Sequence, residues 1–180
     1  MLQITIPAIE LYDEINDVFI STKEQTLELE HSLFSLATWE SKWCKPFLSK
    51  QPKTREETID YIRCMTLTPN VDPDVYKYLT GNNIDQVEKY LEAPMTATTV
   101  TEKDKGKPNR EIITAEIMYN WLIDLQIPFE CQYWHLNRLI MLIKVRSIKN
   151  GPRKKMRPAD ILRENAALNA ARRQQHNTKG

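Results

Sequence analysis

Apolar residues follow a strand-like spacing near the N-terminus. Residues 2–6 and 18–20 are short runs rich in β-branched and aromatic side chains, and the polar segment 13–17 between them is typical of a turn. The sequence therefore predicts an N-terminal β-hairpin. Leu27 and Leu29 alternate with glutamates, which is typical of either a third short strand or the first turn of a helix.

Helical spacing begins at Ser32 and continues through a tryptophan-rich segment up to Pro46. A second helix is predicted over residues 54–65, because Thr54 and Glu57 have the spacing of a capping box. Both segments carry apolar residues on one side, so both are expected to pack against a core.

The middle of the chain carries further helix signals. Asp72 followed by proline predicts a helix start, and Gly81 is expected to end that helix. Asn83 is a candidate cap for a following helix that stops near Pro94. Residues 95–101 are dense in threonine and are predicted to be extended.

Two long helices are predicted after a charged surface loop at 102–110. They cover residues 111–126 and 128–149, with a tight junction between them, and their apolar stripes favour a helical hairpin. The predicted fold is therefore mainly α with a small N-terminal β-hairpin, in which a helical domain surrounds this long hairpin.

Charge divides the chain unequally. Residues 144–180 hold 11 basic and two acidic residues, a formal charge of +9, whereas residues 1–143 hold 14 basic and 22 acidic residues, a formal charge of −8. We interpret residues 1–150 as an acidic, mainly helical body and 151–180 as a basic C-terminal arm. A helix is predicted over 160–175, where large aliphatic residues are few. Such an asymmetry points to a charged partner or to self-association of the chain into a homo-oligomer.

The sequence contains no arrangement of residues that predicts catalysis. The three histidines share no metal-ligand spacing with one another or with the cysteines, and four glycines are too few for a phosphate-binding loop. Cys131 and His135 would lie one turn apart on an apolar helix, which favours a buried small residue and a core histidine over a nucleophile and base. We therefore expect a non-enzymatic protein without metal or cofactor.

The two tryptophans Trp39 and Trp43 lie four residues apart and share one face of a helix. They are either core residues packed on the long hairpin, which we favour, or anchors for a partner. The candidate partner-binding residues are Trp39, Trp43, Trp134, Arg138, Arg153, Lys154, Lys155, Arg157, Arg172 and Arg173.

Nucleic acid and membrane are not the partners that the sequence predicts. From Lys144 onward there is no Phe, Tyr or Trp, so the basic arm lacks a platform on which bases stack. The most apolar stretch, 136–148, contains Arg138 and two further basic residues, and it is too short to span a bilayer. The N-terminus has no signal-peptide pattern, so we expect a cytoplasmic protein.

Several blocks of the sequence resemble a family of small proteins encoded by tailed bacteriophages. The blocks are 29–33 (LEHSL), 39–43 (WESKW), 45–48 (KPFL), 95–99 (MTATT), 110–114 (REIIT), 127–131 (IPFEC), 134–139 (WHLNRL), 168–173 (LNAARR) and 177–180 (NTKG). Within that family the chain is most similar to phage tail assembly chaperones.

The resemblance implies a role in the cytoplasm of an infected host. Chaperones of this kind bind the tape-measure protein or other tail proteins and help the tape measure to polymerise without aggregation. The alternative is a structural virion protein of the neck, tail or baseplate, which assembles into a ring through its basic arm and remains in the virion.

Overall fold

The computed structural model of the protein describes residues 1–13, 18–100, 112–150 and 158–176. The chain divides into two units, Met1–Lys149 and Asn150–Gly180. The first unit contains the strands and most of the helices, and the described part of the second contains one helix. The prediction of a mainly α fold with a small β-hairpin is confirmed.

Four short strands form two antiparallel pairs. They are β1 (Leu2–Ile6), β2 (Ile9–Asp13), β3 (Val18–Thr22) and β4 (Gln25–Leu29), with β1 paired to β4 and β2 to β3. Ile6 lies opposite Gln25 and Ile9 opposite Thr22, so two residues separate the pairs on each side and the register does not slip. The four strands are therefore one β-ribbon, interrupted at Pro7, which lacks the N–H that a ladder requires.

The predicted pairing partners were wrong, although the hairpin itself is present. The run at residues 2–6 pairs with residues 25–29, and the run at 18–20 pairs with β2, a strand that the sequence pattern did not reveal. The alternation of Leu27 and Leu29 belongs to a strand rather than to a helix. The turn centre at 14–17 lies outside the described residues.

The first half of the ribbon, formed by β1 and β4, packs one of its faces on the core. Ile4 and Ile6 are buried, whereas Gln3 and Thr5 between them are exposed, as expected where side chains alternate between two faces. On the exposed face, the Gln3 amide donates to Glu28 at 3.1 Å. A one-residue slip would expose the buried pair, so burial fixes the register.

Helices α1 (Leu33–Trp43) and α2 (Arg55–Met65) confirm the first two helix predictions. Ser32 caps α1 by accepting from the Ser35 amide at 3.1 Å. Thr54 and Glu57 form the predicted reciprocal box on α2: the Glu57 amide donates to the Thr54 hydroxyl, and the Thr54 amide donates to the Glu57 carboxylate.

The helix predicted to start at Asp72 is a short 3₁₀ helix, Pro73–Tyr78. Gly81 does not end it but opens α3 (Gly81–Glu92), whose cap is Thr80. Asn83 is the partner in this cap rather than the cap itself, because its side chain accepts from the Thr80 amide at 3.1 Å. The glycine tolerates this first helical position without unusual backbone angles.

The two long C-terminal helices are shorter than predicted. The first is α4 (Ala115–Asp124), and the segment 128–149 contains a 3₁₀ helix, Phe129–Tyr133, followed by α5 (Leu136–Asn150). The break between them is a β-bridge of His135 with Ser32, which no helix-forming pattern predicts. Residues 93–100 contain no strand, and the predicted loop at 102–110 lies outside the described residues.

One core joins the ribbon to the helices of the first unit. Its twelve fully buried large side chains come from β1, β4, α1, α2, α4 and α5, and they are Ile4, Leu27, Leu29, Leu33, Leu36, Trp39, Ile62, Met65, Met118, Leu122, Leu136 and Leu139. Since α1 contributes three of them and packs on both α2 and α4, it is the central helix of this unit.

The second unit contains α6 (Pro158–His176). The described side chains of α6 are exposed, including those of Leu162 and Leu168. The thin apolar face predicted for the arm is therefore not buried in the described part of this unit. A helix of this kind is marginal alone in water.

A buried carboxylate holds the start of α4. Thr114 precedes the helix but makes no side-chain capping hydrogen bond. Glu40, on α1, instead accepts from the Ala115 amide at 2.7 Å and from the Phe47 amide at 2.7 Å. A negative charge at a helix N-terminus is favourable, so Glu40 acts as a cap supplied from a distant helix.

We predict that Glu40→Gln lowers the free energy of unfolding by about 1–3 kcal/mol, because glutamine offers one acceptor oxygen to two buried N–H donors and removes the charge. Urea unfolding measures the change. Glu116→Gln, an exposed acid in the first turn of α4, is the matched control and should cost less than about 1 kcal/mol. Equal losses in both variants would contradict the capping role of Glu40.

Candidate helix-binding groove

An apolar groove of about 500 Å³ lies between α4 and α5. Its lining residues are Leu48, Ile113, Met118, Trp121, Asp124, Leu125, Ile140, Ile143, Lys144 and Ser147. The apolar members form the floor and walls, and the polar members come from the last turn of α4 and the second half of α5. A concave, mostly apolar surface with a few polar groups is typical of a binding site.

The groove continues beyond one of its ends. Leu48 and Ile113 also line a second depression of about 640 Å³, which extends to the segment 49–52. Leu48 is 40% exposed although it lies between the two depressions. The combined site, here called the α4–α5 groove, is therefore elongated.

The groove exists because α4 packs against α1 more closely than against α5. Glu40 holds the start of α4, and α4 lies against α1. Asp124 and Leu136 bound a connection much longer than the two to five residues that join closely packed helical hairpins. The start of α5 is fixed separately, by the Leu136 amide, which donates to the His31 carbonyl at 2.7 Å.

The structure places the indole N–H groups of Trp39 and Trp43 against α2, which is not part of the predicted long hairpin. Trp39 is 1% exposed, and its indole N–H donates to the Glu57 carbonyl at 2.9 Å. Trp43 is half-buried and donates to the Asp60 carboxylate at 2.8 Å. The two rings stack at 6.1 Å. Both indole donors are therefore engaged within the chain.

Two lysines complete this α1–α2 contact. Lys42 binds Asp60 and Lys45 binds Glu57, both as salt bridges. Burial raises the pKa of Asp60, but hydrogen bonds from Lys42 and Trp43 outweigh it, and the pKa is lowered. The Lys45 hydrogen bond and the Thr54 amide lower the pKa of Glu57. Both carboxylates thus stay ionised between the helices.

The other candidate residues lie at several places. Arg138 is exposed and lies over the Trp134 ring, 4.1 Å from its centroid, as a cation–π pair at the start of α5. Arg172 and Arg173 are exposed on α6. The remaining four candidates, Arg153, Lys154, Lys155 and Arg157, lie outside the described residues. Within the first unit, the described candidates lie at two places, with Trp39 and Trp43 on the α1–α2 contact and Trp134 and Arg138 at the start of α5.

An exposed aromatic patch was not predicted from the sequence. The ring centroid of Phe34 on α1 lies 5.5 Å from that of Tyr133 in the 3₁₀ helix. Tyr119 on α4 stacks on Phe129, with their ring centroids 6.3 Å apart. The side chains of Phe34, Phe129 and Tyr133 are about half exposed. Their sequence spacing gives no signal, because the fold brings them together from three elements.

Two histidines meet inside the first unit. The rings of His31 and His135 are 5.2 Å apart, and His31 Nδ1 shares a 2.6 Å hydrogen bond with the Tyr61 hydroxyl. His135 Nε2 donates to the Tyr90 carbonyl at 3.1 Å, while its Nδ1 accepts from the Asn137 amide at 3.3 Å. His135 is therefore held as one neutral tautomer.

Burial keeps both imidazoles neutral. It lowers the pKa of His31 to about 3, with a smaller effect from His135, and it also lowers the pKa of His135. The same cause raises the pKa of Cys131, and it raises that of Cys64 to about 11. Cys131 lies in the 3₁₀ helix rather than one helical turn before His135, and its thiol is not activated.

The described residues contain no group of three or more His, Cys, Asp or Glu side chains that could hold a metal ion. Within the same ranges, no helix has the length and apolar character that crossing a membrane requires. No protein-family model, curated protein or solved structure matches the chain. The candidate site therefore rests on its own geometry.

The sequence pattern identified the apolar residues of the groove, but it did not show that they line a groove. Trp121, Leu125, Ile140 and Ile143 form the apolar stripes from which the long hairpin was predicted. An apolar stripe has the same spacing whether it is buried in a core or lines a groove. The difference depends on the connection between α4 and α5, which the sequence pattern did not specify.

We predict that acid destabilises the protein through His31. Its pKa is about 3 in the folded state and about 6.5 in the unfolded chain, so the unfolded state binds a proton first as the pH falls. The contribution of neutral His31 to the free energy of unfolding is fully present above pH 6.5, and about 2 kcal/mol of it is lost by pH 5. Urea unfolding at pH 7.5 and 5 should show this loss.

His31→Gln should reduce the difference in unfolding free energy between the two pH values, even if it lowers stability at both. His176→Gln, in the other unit, is the control and should leave the difference unchanged. An unchanged pH dependence in His31→Gln would show that His31 is not the titrating group.

Proposed function

We propose that this protein is a non-enzymatic phage tail assembly chaperone, which binds an amphipathic helix of the tape-measure protein in the α4–α5 groove. The observation that carries the proposal is the groove itself: an elongated, mostly apolar surface within one unit. Elongated apolar grooves between helices recognise the apolar face of a partner helix.

The chemistry of the groove fits such a partner. Trp121, Leu125 and Ile140 are half-buried, so each keeps apolar surface that a bound helix would remove from water. Asp124 and Ser147 are exposed at the edge, where they can meet the polar flanks of an amphipathic helix. A tape-measure chain is long and exposes helices of this kind before it is enclosed in a tail.

The resemblance of several sequence blocks to tail assembly chaperones favours the same role. Two of them contain a lining residue of the groove, Leu48 in block 45–48 and Ile113 in block 110–114, and Ile140 directly follows a third, 134–139. The WESKW block instead forms the α1–α2 contact, so we assign it to stability rather than to binding.

Leu48→Asp tests the groove. Leu48 is exposed and lies where the two depressions meet, so the carboxylate would enter the binding surface without disturbing the core. On co-expression with the tape-measure protein, we expect roughly tenfold less soluble tape measure, since burying a charge without a partner is costly. The measurement is the amount of tape-measure protein in the soluble fraction.

Leu67→Asp is the matched control, because Leu67 is also an exposed leucine and does not line the groove. This variant should solubilise as much tape-measure protein as the unmodified protein. If both variants solubilise the tape measure like the unmodified protein, the groove is not the binding site. If the unmodified protein gives no rescue, the chaperone role is wrong.

The alternative of a virion component is favoured by the opposed charges of the body and the arm, which suit contacts between copies in a ring. Fractionation of infected cells separates the two roles. A chaperone should be found in the lysate and be absent from purified particles, whereas a neck, tail or baseplate protein should remain in them.

We also predict that removal of residues 152–180 leaves the first unit folded, with a cooperative thermal transition, because the arm lies in a separate unit. Under the chaperone proposal, the truncated protein should solubilise less tape-measure protein than the full chain. Equal solubilisation would remove the arm from the binding mechanism and leave the groove as the sole contact.

A further inference from the structure

The two halves of the β-ribbon differ in what covers their edges. Along β4, the Leu67 amide donates to the Glu28 carbonyl at 2.8 Å, and the Glu30 amide donates to the Met65 carbonyl at 2.9 Å. Along β1, the Asn83 side-chain amide donates to the Thr5 carbonyl at 3.1 Å. The first half of the ribbon is therefore covered along both edges by other parts of the chain.

The second half has no further backbone pairing in the described part of the chain. There, β2 pairs with β3 alone, and neither strand takes part in a further bridge. An edge strand presents unpaired N–H and C=O groups, which are a template for another strand. A two-stranded ribbon is also marginally stable by itself in water.

The two open edges differ in sequence. Strand β2 (IELYD) contains Glu10 and Asp13, and charges of this kind discourage pairing at an edge. Strand β3 (VFIST) contains no charge, proline or glycine, and four of its five residues are β-branched or aromatic. The edge of β3 is therefore the one suited to accept another strand.

We propose that two copies of this chain pair antiparallel through β3, about a two-fold axis at Ile20, and so form a four-stranded sheet. Ile20 is the middle residue of β3, and only this register opposes all five residues of both strands. A second copy fits because an antiparallel two-fold pairing offers each strand an edge identical to its own. Pairing through β2 would instead bring four carboxylates into one small ladder.

The test is Ile20→Lys, which places two lysines opposite each other at the two-fold axis, where like charges are destabilising. Sedimentation measures the dimer dissociation constant. We expect a dimer for the unmodified chain and at least roughly tenfold weaker association for the variant. Leu11→Lys is the matched control, because Leu11 lies opposite Ile20 within the ribbon but not at the proposed interface. It should still dimerise.

Charge reversal completes the test. An equimolar mixture of Ile20→Lys and Ile20→Glu should form a heterodimer, since the opposed charges now attract. Independently, Ile20→Cys should form a disulfide between the two cysteines at position 20, which mass spectrometry identifies, because directly opposed residues lie about 4.5–5.5 Å apart.

Three results would overturn the proposal: a monomeric unmodified chain, equal loss of dimer in Ile20→Lys and Leu11→Lys, or no disulfide at position 20 in Ile20→Cys. The proposal does not depend on the α4–α5 groove. The co-expression experiment with Leu48→Asp therefore tests the proposed function separately.

Discussion

The carboxylate of Glu40 connects parts of the chain that nothing local would hold together. It accepts one amide from the segment after α1 and one from the first residue of α4, 75 positions away. Both donors are buried with it, so removal of the acceptor would leave two unsatisfied N–H groups. The position of α4 on α1, and hence one wall of the α4–α5 groove, depends on this contact.

The tryptophan-rich segment shows how a conspicuous motif can have a structural purpose. Trp39 and Trp43 both donate to α2, and the lysines beside them bind the two buried acids of that helix. Along the α1–α2 contact, both indole N–H groups donate hydrogen bonds and both lysines form salt bridges. The binding surface arises instead from ordinary aliphatic residues of α4 and α5, which have no motif.

Sequence reasoning succeeded for the capping box of α2, where the signal and its partner lie within a few residues. Thr54 and Glu57 are three positions apart, and their capping box was predicted and confirmed. It failed where the partner is distant. The pairing of β1 with β4 was missed because Pro7 divides the strand, and the start of α4 was misplaced because its cap comes from Glu40. The groove was missed because core and groove stripes have the same period.

The interruption at Pro7 has a consequence for how the ribbon opens. The β1–β4 pair is bordered by other parts of the chain along both edges, so we expect hydrogen exchange of the amides that pair these strands to require unfolding of the first unit. The amides that pair β2 with β3 follow a break in the ladder, so we expect local opening to release them while the core stays intact. One continuous register should therefore show two exchange regimes, separated by a single residue that cannot donate a hydrogen bond.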